Sequence, residues 1–378
     1  MTDTPAPLFS GARQYESFCR MSDFYPSKAM KASSSPRPFP AGAPISLPKT
    51  YAFEGQLREI TDLIEHTDTS ALLVIHDGQM RFESYSLTGG KEVRWVSWSV
   101  AKSFVSALVG IAIEQGAIRS IEDPISDYWP DMKGSAYEGV AIRHVLQMSS
   151  GARWNEDYSD AKSDVNQLGA VLAGEGTLDK FVCGIPPESA AGSLCRYNSA
   201  DTQALGMLLR GATGEPLADY MSRSLLEPLG MEDPSFWITD NSGTEMVLGG
   251  LNMTARDFAK IGELYRNGGK VAEKQLVPAS WVNASTHIAS PHLAPGQVTV
   301  GGHKFAFGYG YQWWIPSGDL GEFSAIGIYN QFVYVDPSSR ATIVKLSANP
   351  SYGISENEAD NKDEENMELL RAISRSLN

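Results

Sequence analysis

The sequence predicts an α/β (α+β) fold, an antiparallel sheet flanked by N- and C-terminal helices with a mostly helical segment inserted into it. Three observations predict it. Strand patterns cluster near both ends of the chain. Between them lie short helical patterns broken by Gly and Pro. The chain closes on an amphipathic helix in which Met367, Leu370, Ile373 and Leu377 recur at helical spacing.

Residues 1–50 are rich in Pro and Ser and read as an extended N-terminal arm. A short helix is expected over 56–66. Ala71 to Ile75 and Gln79 to Tyr85 flank Asp77-Gly78, a strong hairpin signal. A long apolar helix follows to Gln115, ended by Gly116 as its C′ residue. Helices are expected at Asp201–Gly211, Pro216–Leu226 and Ala255–Asn267, and strand signals there are scarce. Strands return at Gly308–Ile315, Glu322–Tyr329, Phe332–Val335 and Ala341–Ser347, the last two joined by a turn at 337–340. The expected division is an arm at 1–50, a sheet domain from 51–116 and 286–378, and an inserted helical domain at 117–285. No internal repeat is visible.

The 378 residues are 42% apolar, ample for a sizeable core, and the net charge of −14 disfavours nucleic acid and anionic membranes as partners. No apolar run reaches membrane-spanning length. The N-terminus, Met1-Thr2-Asp3-Thr4-Pro5, has neither the basic nor the apolar region of a secretory signal, so a cytoplasmic protein is expected. Cys19, Cys183 and Cys195 are odd in number and fit no metal pattern; free thiols are expected, not a Cys183–Cys195 bridge. The nucleophile elbow Gly-x-Ser-x-Gly, the zinc motif His-Glu-x-x-His and the Walker A loop are all missing. The six histidines do not cluster, and no cofactor is expected.

Ser99-Val100-Ala101-Lys102 is the stretch with chemistry in it. Three residues make about one helical turn, so hydroxyl and amine share a face. A serine needs a base before it attacks a carbonyl, and an amine of lowered pKa supplies one. Chance alone produces about one or two Ser-x-x-Lys matches in such a chain. This chain has three. Ser46–Lys49 lies in a Pro-rich segment and Ser159–Lys162 in a polar one, whereas Ser99 is followed by Phe104, Leu108 and Ile111 at helical spacing. Helix N-cap is the alternative role for Ser99. Tyr197-Asn198-Ser199 offers a phenol for proton shuttling, or a core tyrosine. Gly327, inside a strand, marks a close backbone approach or a bulge.

With these stretches the chain resembles the serine β-lactamase and penicillin-recognising superfamily, in its class C and esterase-like part. Further matches are Ile142 to Gly151, Pro228-Leu229-Gly230-Met231 and Gly249 to Asp257, in the family's order over roughly 55–350. Within it the chain is most similar to the 6-aminohexanoate-dimer hydrolases, through Trp154 to Tyr158, Tyr197 to Ala200, Gln312-Trp313-Trp314 and Ile326-Gly327-Ile328. The resemblance implies a β-lactamase-like fold and an acyl-enzyme on Ser99. Lys102 would be the base, Tyr197 the proton donor, and the backbone N–H groups of Ser99 and Ile328 the oxyanion donors. Tyr158 and Trp314 would contact substrate. Lys102 must then fall from about 10.4 to about 7–8. Two departures stand out. The family's Tyr-x-Asn is Tyr197-Asn198-Ser199 here, and Ala325 replaces the Lys or His that opens the third motif and helps bind a β-lactam carboxylate. The expected function is therefore hydrolysis of small linear amides or esters. The alternatives are a β-lactamase or D-amino-acid peptidase, and a non-catalytic penicillin-sensor-like protein. The partner is a small molecule, and a homodimer is left open.

Overall fold

The computed structural model describes residues 5–377. A seven-stranded antiparallel sheet runs in the order Gly308–Tyr309, Trp314–Ile315, Phe323–Gly327, Gln331–Asp336, Ala341–Leu346, Ala71–His76, Gln79–Tyr85. The N-terminal hairpin is thus zipped onto the C-terminal meander, Ala341 opposite His76 and Leu346 opposite Ala71.

Side chains on a strand alternate between faces, and both faces here are apolar. Leu72, Val74, Phe332, Tyr334 and Ile343 pack with Met367, Leu370 and Ile373 of the C-terminal helix Asp363–Arg375. Leu73, Ile75, Val333, Val335 and Val344 share the other core with Phe258 and Ile261 of the helix Ala255–Arg266. That helix lies flush on the sheet at Gly262, where a Cβ would stand 2.6 Å from Thr342 Cγ2 and 2.9 Å from Val333 Cγ1. Behind it runs the helix Ala101–Glu114, with twelve of its residues buried, Ala101 through Ala112. A helix buried on every side belongs inside a large core.

Four segments differ from the sequence reading. Residues 56–59 form a strand, Gln56–Glu59, paired with Thr50–Phe53, and the helix begins only at Ile60. Residues 308–315 are two short strands instead of one. The chain reverses at Gln312, which takes a left-handed φ of 62°. Its side chain explains the reversal: the amide donates to Leu146 O at 2.8 Å and accepts from Thr202 Oγ1 at 2.6 Å. The arm is not uniformly extended. It holds a short helix, Tyr15–Phe18, and a strand, Ser27–Met30, that pairs with Ser235–Ile238. The latter joins Leu251–Met253 and Trp95–Val96 in a four-stranded sheet, so the middle of the chain carries strands as well as helices.

The three cysteines are free. Among the described residues no helix is long and apolar enough to cross a membrane, and no three His, Cys, Asp or Glu side chains converge as a metal site.

Candidate active site

Ser99 sits in a 3-10 turn, Trp98–Val100, that feeds the buried helix. The residue before it, Trp98, has φ 41°, a left-handed conformation that costs a bulky side chain energy and that recurs at functional sites. Ser99 is not the helix cap. Val100 holds that position without a side-chain bond, and the Ser99 hydroxyl faces Lys102, whose Nζ lies 2.8 Å away.

Lys102 is 1% exposed. Burial disfavours its charged form and brings its pKa down to about 8, with Glu156 pulling the other way. Its nitrogen has two further neighbours, Leu248 O at 2.7 Å and Ser199 Oγ at 3.2 Å. Charged, the amine donates to all three oxygens, Ser99 Oγ included; neutral, it has one donor fewer, and its neighbours decide which bond changes direction. A carbonyl only accepts. The Ser199 proton is committed to the Glu156 carboxylate, at 2.5 Å, so Ser199 also accepts from the lysine. A neutral amine has two N–H groups and one lone pair. Both N–H groups are therefore engaged, and the lone pair is left for the Ser99 hydroxyl proton.

Glu156 is the residue the sequence reading missed. It is 1% exposed and accepts from Trp154 Nε1, Tyr158 OH (2.8 Å), Ser199 N–H (3.0 Å) and the Ser199 hydroxyl. The alternation Trp154-x-Glu156-x-Tyr158, an acid between two aromatics with polar tips, was the available signal.

Tyr197 opens the helix Ser199–Thr213. Asn198 caps that helix, its side-chain oxygen accepting from Ala200 N–H at 2.8 Å and Asp201 N–H at 3.3 Å. With Asn198 used as a cap, Tyr197 and Ser199 on either side both reach Lys102: Nζ lies 5.2 Å from the Tyr197 ring centroid. Tyr197 shares a cavity wall with Ser99, and burial and the Glu156 charge raise its pKa well above 10. The phenol is neutral, a proton donor and not a resident phenolate. Trp314 stacks on its ring at 5.1 Å.

The strand Phe323–Gly327 approaches Ser99 at its last residue. A Cβ on Gly327 would lie 2.7 Å from Ser97 O and 3.0 Å from Ser99 N. Only glycine permits this contact, and the next residue, Ile328, lines the same cavity as Ser99. Ser99, Tyr158, Tyr197, Trp314 and Ile328 all line one cavity, so the predicted site residues other than the buried Lys102 share its wall. His303 is the one histidine there. Ala325 is buried in the core and does not reach the cavity.

The Beta-lactamase family model matches residues 58–365. A 6-aminohexanoate-dimer hydrolase of Paenarthrobacter ureafaciens is 28% identical over 88% of this chain and 85% of its own. A structure from Bacillus anthracis, provisionally named a 6-aminohexanoate-dimer hydrolase, superposes with a TM-score of 0.84 at 24% identity, covering 96% of this chain and 94% of that one. EstCE1, a hydrolase with promiscuous acyltransferase activity, superposes at 0.65 with 16% identity over 83% and 96% of the two chains. These structural likenesses carry the fold: a β-lactamase-like mixed α/β architecture with a central antiparallel sheet.

Proposed function

The chain belongs to the beta-lactamase family and is a serine hydrolase, and from that premise we propose that it cleaves small linear amides or esters through an acyl-enzyme on Ser99. The observation that carries this is a buried Lys102 Nζ 2.8 Å from the Ser99 hydroxyl, with acceptors as its other two neighbours, so that its neutral form turns a lone pair to the Ser99 proton. Ser99 Oγ bonds to the carbonyl carbon while its proton moves to Lys102. The oxyanion forms between the N–H groups of Ser99 and Ile328, donors worth about 3–4 kcal/mol each where charge develops. Tyr197 gives its proton to the leaving nitrogen or oxygen as the carbon–heteroatom bond breaks, and the Lys102 proton restores the phenol. Water then attacks the acyl-enzyme by the same steps reversed.

Oligomers of 6-aminohexanoate, the dimer of which is the substrate named for the Paenarthrobacter relative, fall within this class. A cytoplasmic location, with its three unpaired cysteines, belongs to the same reading. Ala325 opposes β-lactam or D-amino-acid peptide substrates, since no cation stands there to hold their carboxylate. Short acyl nitrophenyl esters test the reading. Turnover with a Ser99-bound acyl group seen by mass spectrometry, both lost in Ser99→Ala, is the expected result. Turnover retained in Ser99→Ala removes Ser99 as the nucleophile, and rapid cephalosporin turnover without ester turnover reverses the substrate order.

A further inference from the structure

Ser99 stands between two cavities of different character. The first, about 90 Å³, is the one that Tyr197 and Trp314 line, and its far wall carries Glu356, Glu358, Asp363 and Glu364. The second, about 100 Å³, also begins at Ser99 and Ile328 but is more apolar: Leu8, Phe9, Leu168, Leu172, Met246 and Leu248 line it. Its polar neighbours Glu156 and Ser199 are bonded to each other. Neither Tyr197 nor Trp314 belongs to it.

This asymmetry orients a substrate. Tyr197 gives its proton to the departing atom, so the leaving group must lie on the Tyr197 side, toward the carboxylates. The acyl portion then points the other way, into the apolar cavity. We propose that this cavity is the acyl-chain subsite and that Phe9 of the N-terminal strap sets the length of chain accepted; the proposal rests on the Ser99 acyl-enzyme reading. The occupant is an unbranched, uncharged alkyl chain, so within the proposed class this cavity favours simple esters and amides over a 6-aminohexanoyl group, whose ammonium it would bury. A cavity of about 150 Å³ takes benzene, so about 100 Å³ takes roughly four carbons beyond the carbonyl.

The strap is built to act as a fixed wall. Phe9 lies between Tyr158 and Tyr329, at ring distances of 4.9 and 5.5 Å. Its N–H donates to the Tyr329 hydroxyl at 2.7 Å, and its own φ is 56°. Five residues later, the buried Gln14 amide donates back to Pro7 O at 2.9 Å and ties the strap into a closed turn. Phe9 therefore touches Tyr158, which lines both cavities, and closes the apolar one.

Two ester ladders test this on the full chain. In one the acyl group lengthens from acetate to decanoate on nitrophenol; in the other acetate is fixed and the alcohol lengthens. Gly169 stands at the exposed edge of the apolar cavity, and a Cβ there would meet nothing within 4 Å, so Gly169→Leu adds bulk at the cavity mouth. We expect Gly169→Leu to lower the hexanoate-to-acetate ratio of kcat/KM about tenfold, the effect of excluding about two methylenes. The hexyl-to-methyl ratio in the alcohol ladder should not follow. Phe9→Ala should move the preferred acyl length upward. A loss confined to the alcohol ladder, or acyl ratios unmoved in both variants, overturns the proposal. Wild-type protein that turns over neither ladder overturns the Ser99 reading first, and this subsite with it.

Discussion

Two lysines are buried in this molecule with hydroxyl partners, and only one of them has a partner that borders a cavity. Lys102 and Lys345 are 1% and 0% exposed. Burial lowers both, to about 8 and about 7. Each is held by hydroxyls: Lys102 by Ser99 and Ser199, Lys345 by Thr67 at 3.0 Å and Ser347 at 2.7 Å. A nearby carboxylate opposes each shift, Glu156 in one case and Asp363 in the other. By environment alone they are alike, and Lys345 is the more perturbed. What separates them is access. Ser99 borders two cavities, whereas Lys345 points off the sheet to Thr67 and Ser347, which line neither of them. A depressed lysine pKa therefore marks burial; it marks chemistry only where the partner hydroxyl can meet a substrate.

The largest effect should come from breaking this comparison at the nucleophile. Ser99→Ala should cost about 10⁴-fold or more in ester kcat/KM, and Lys102→Met a comparable amount, because residues acting as a unit fail together. Lys345→Met should leave kcat/KM and its pH profile in place. If Lys345→Met instead moved the pH profile, the distinction by access would be wrong. Next comes Tyr197→Phe, which removes the proton donor. Nitrophenolate leaves without a proton and an amine does not, so amide hydrolysis should fall about 10²–10³-fold and nitrophenyl ester hydrolysis far less. Equal losses on both substrates would give Tyr197 a merely structural role.

Local periodicity made the nucleophile helix readable. The residues from Phe104 to Ile111 carry it on their own, as the hairpin around Asp77-Gly78 carries its turn. Gly327 was readable too, because glycine inside a strand is costly unless something approaches. The lysine's environment was not. Its three partners come from positions 99, 199 and 248, one of them a backbone carbonyl, which no side-chain pattern encodes. Glu156 stood in plain view within Trp154 to Tyr158, but its role depends on Ser199, forty-three residues on. The strand at Gly308 split in two for a similar reason: Gln312 answers to Leu146 and Thr202, partners distant in sequence.

A smaller, sharper test concerns what Glu156 does to the active lysine. The base is neutral Lys102, so kcat/KM should rise with pH through about 8 and level off above it. Glu156 favours the charged lysine. Glu156→Gln keeps an acceptor for Ser199 and removes the charge, so the rising limb should move to lower pH. A limb that moves upward, or stays fixed while folding is intact, removes Glu156 as the group that sets it.

The smallest effect belongs to the lysine that does no chemistry, and it is read in stability. Unfolded, Lys345 holds its proton up to about pH 10.4; folded, it has released it above about 7. Between those values the unfolded chain binds the extra proton, so stability rises with pH. The slope is about 1.4 kcal/mol per pH unit from this one group, fully gained above the unfolded pKa and lost as pH falls through 7. Lys345→Met deletes the slope. Asp363 titrates the other way: its pKa is raised to about 7 by burial, so its contribution is present below about 3.9 and is lost as pH rises through 7. The two windows meet near pH 7; above it Lys102, at about 8 in the fold, adds a slope of the same sign, so the difference between wild type and Lys345→Met in denaturant titrations at pH 7.5, 8.5 and 9.5 isolates Lys345. Wild type should gain on Lys345→Met at each step. Parallel stabilities across that range would mean that Lys345 keeps its proton in the fold, and the likeness between the two lysines would end at burial.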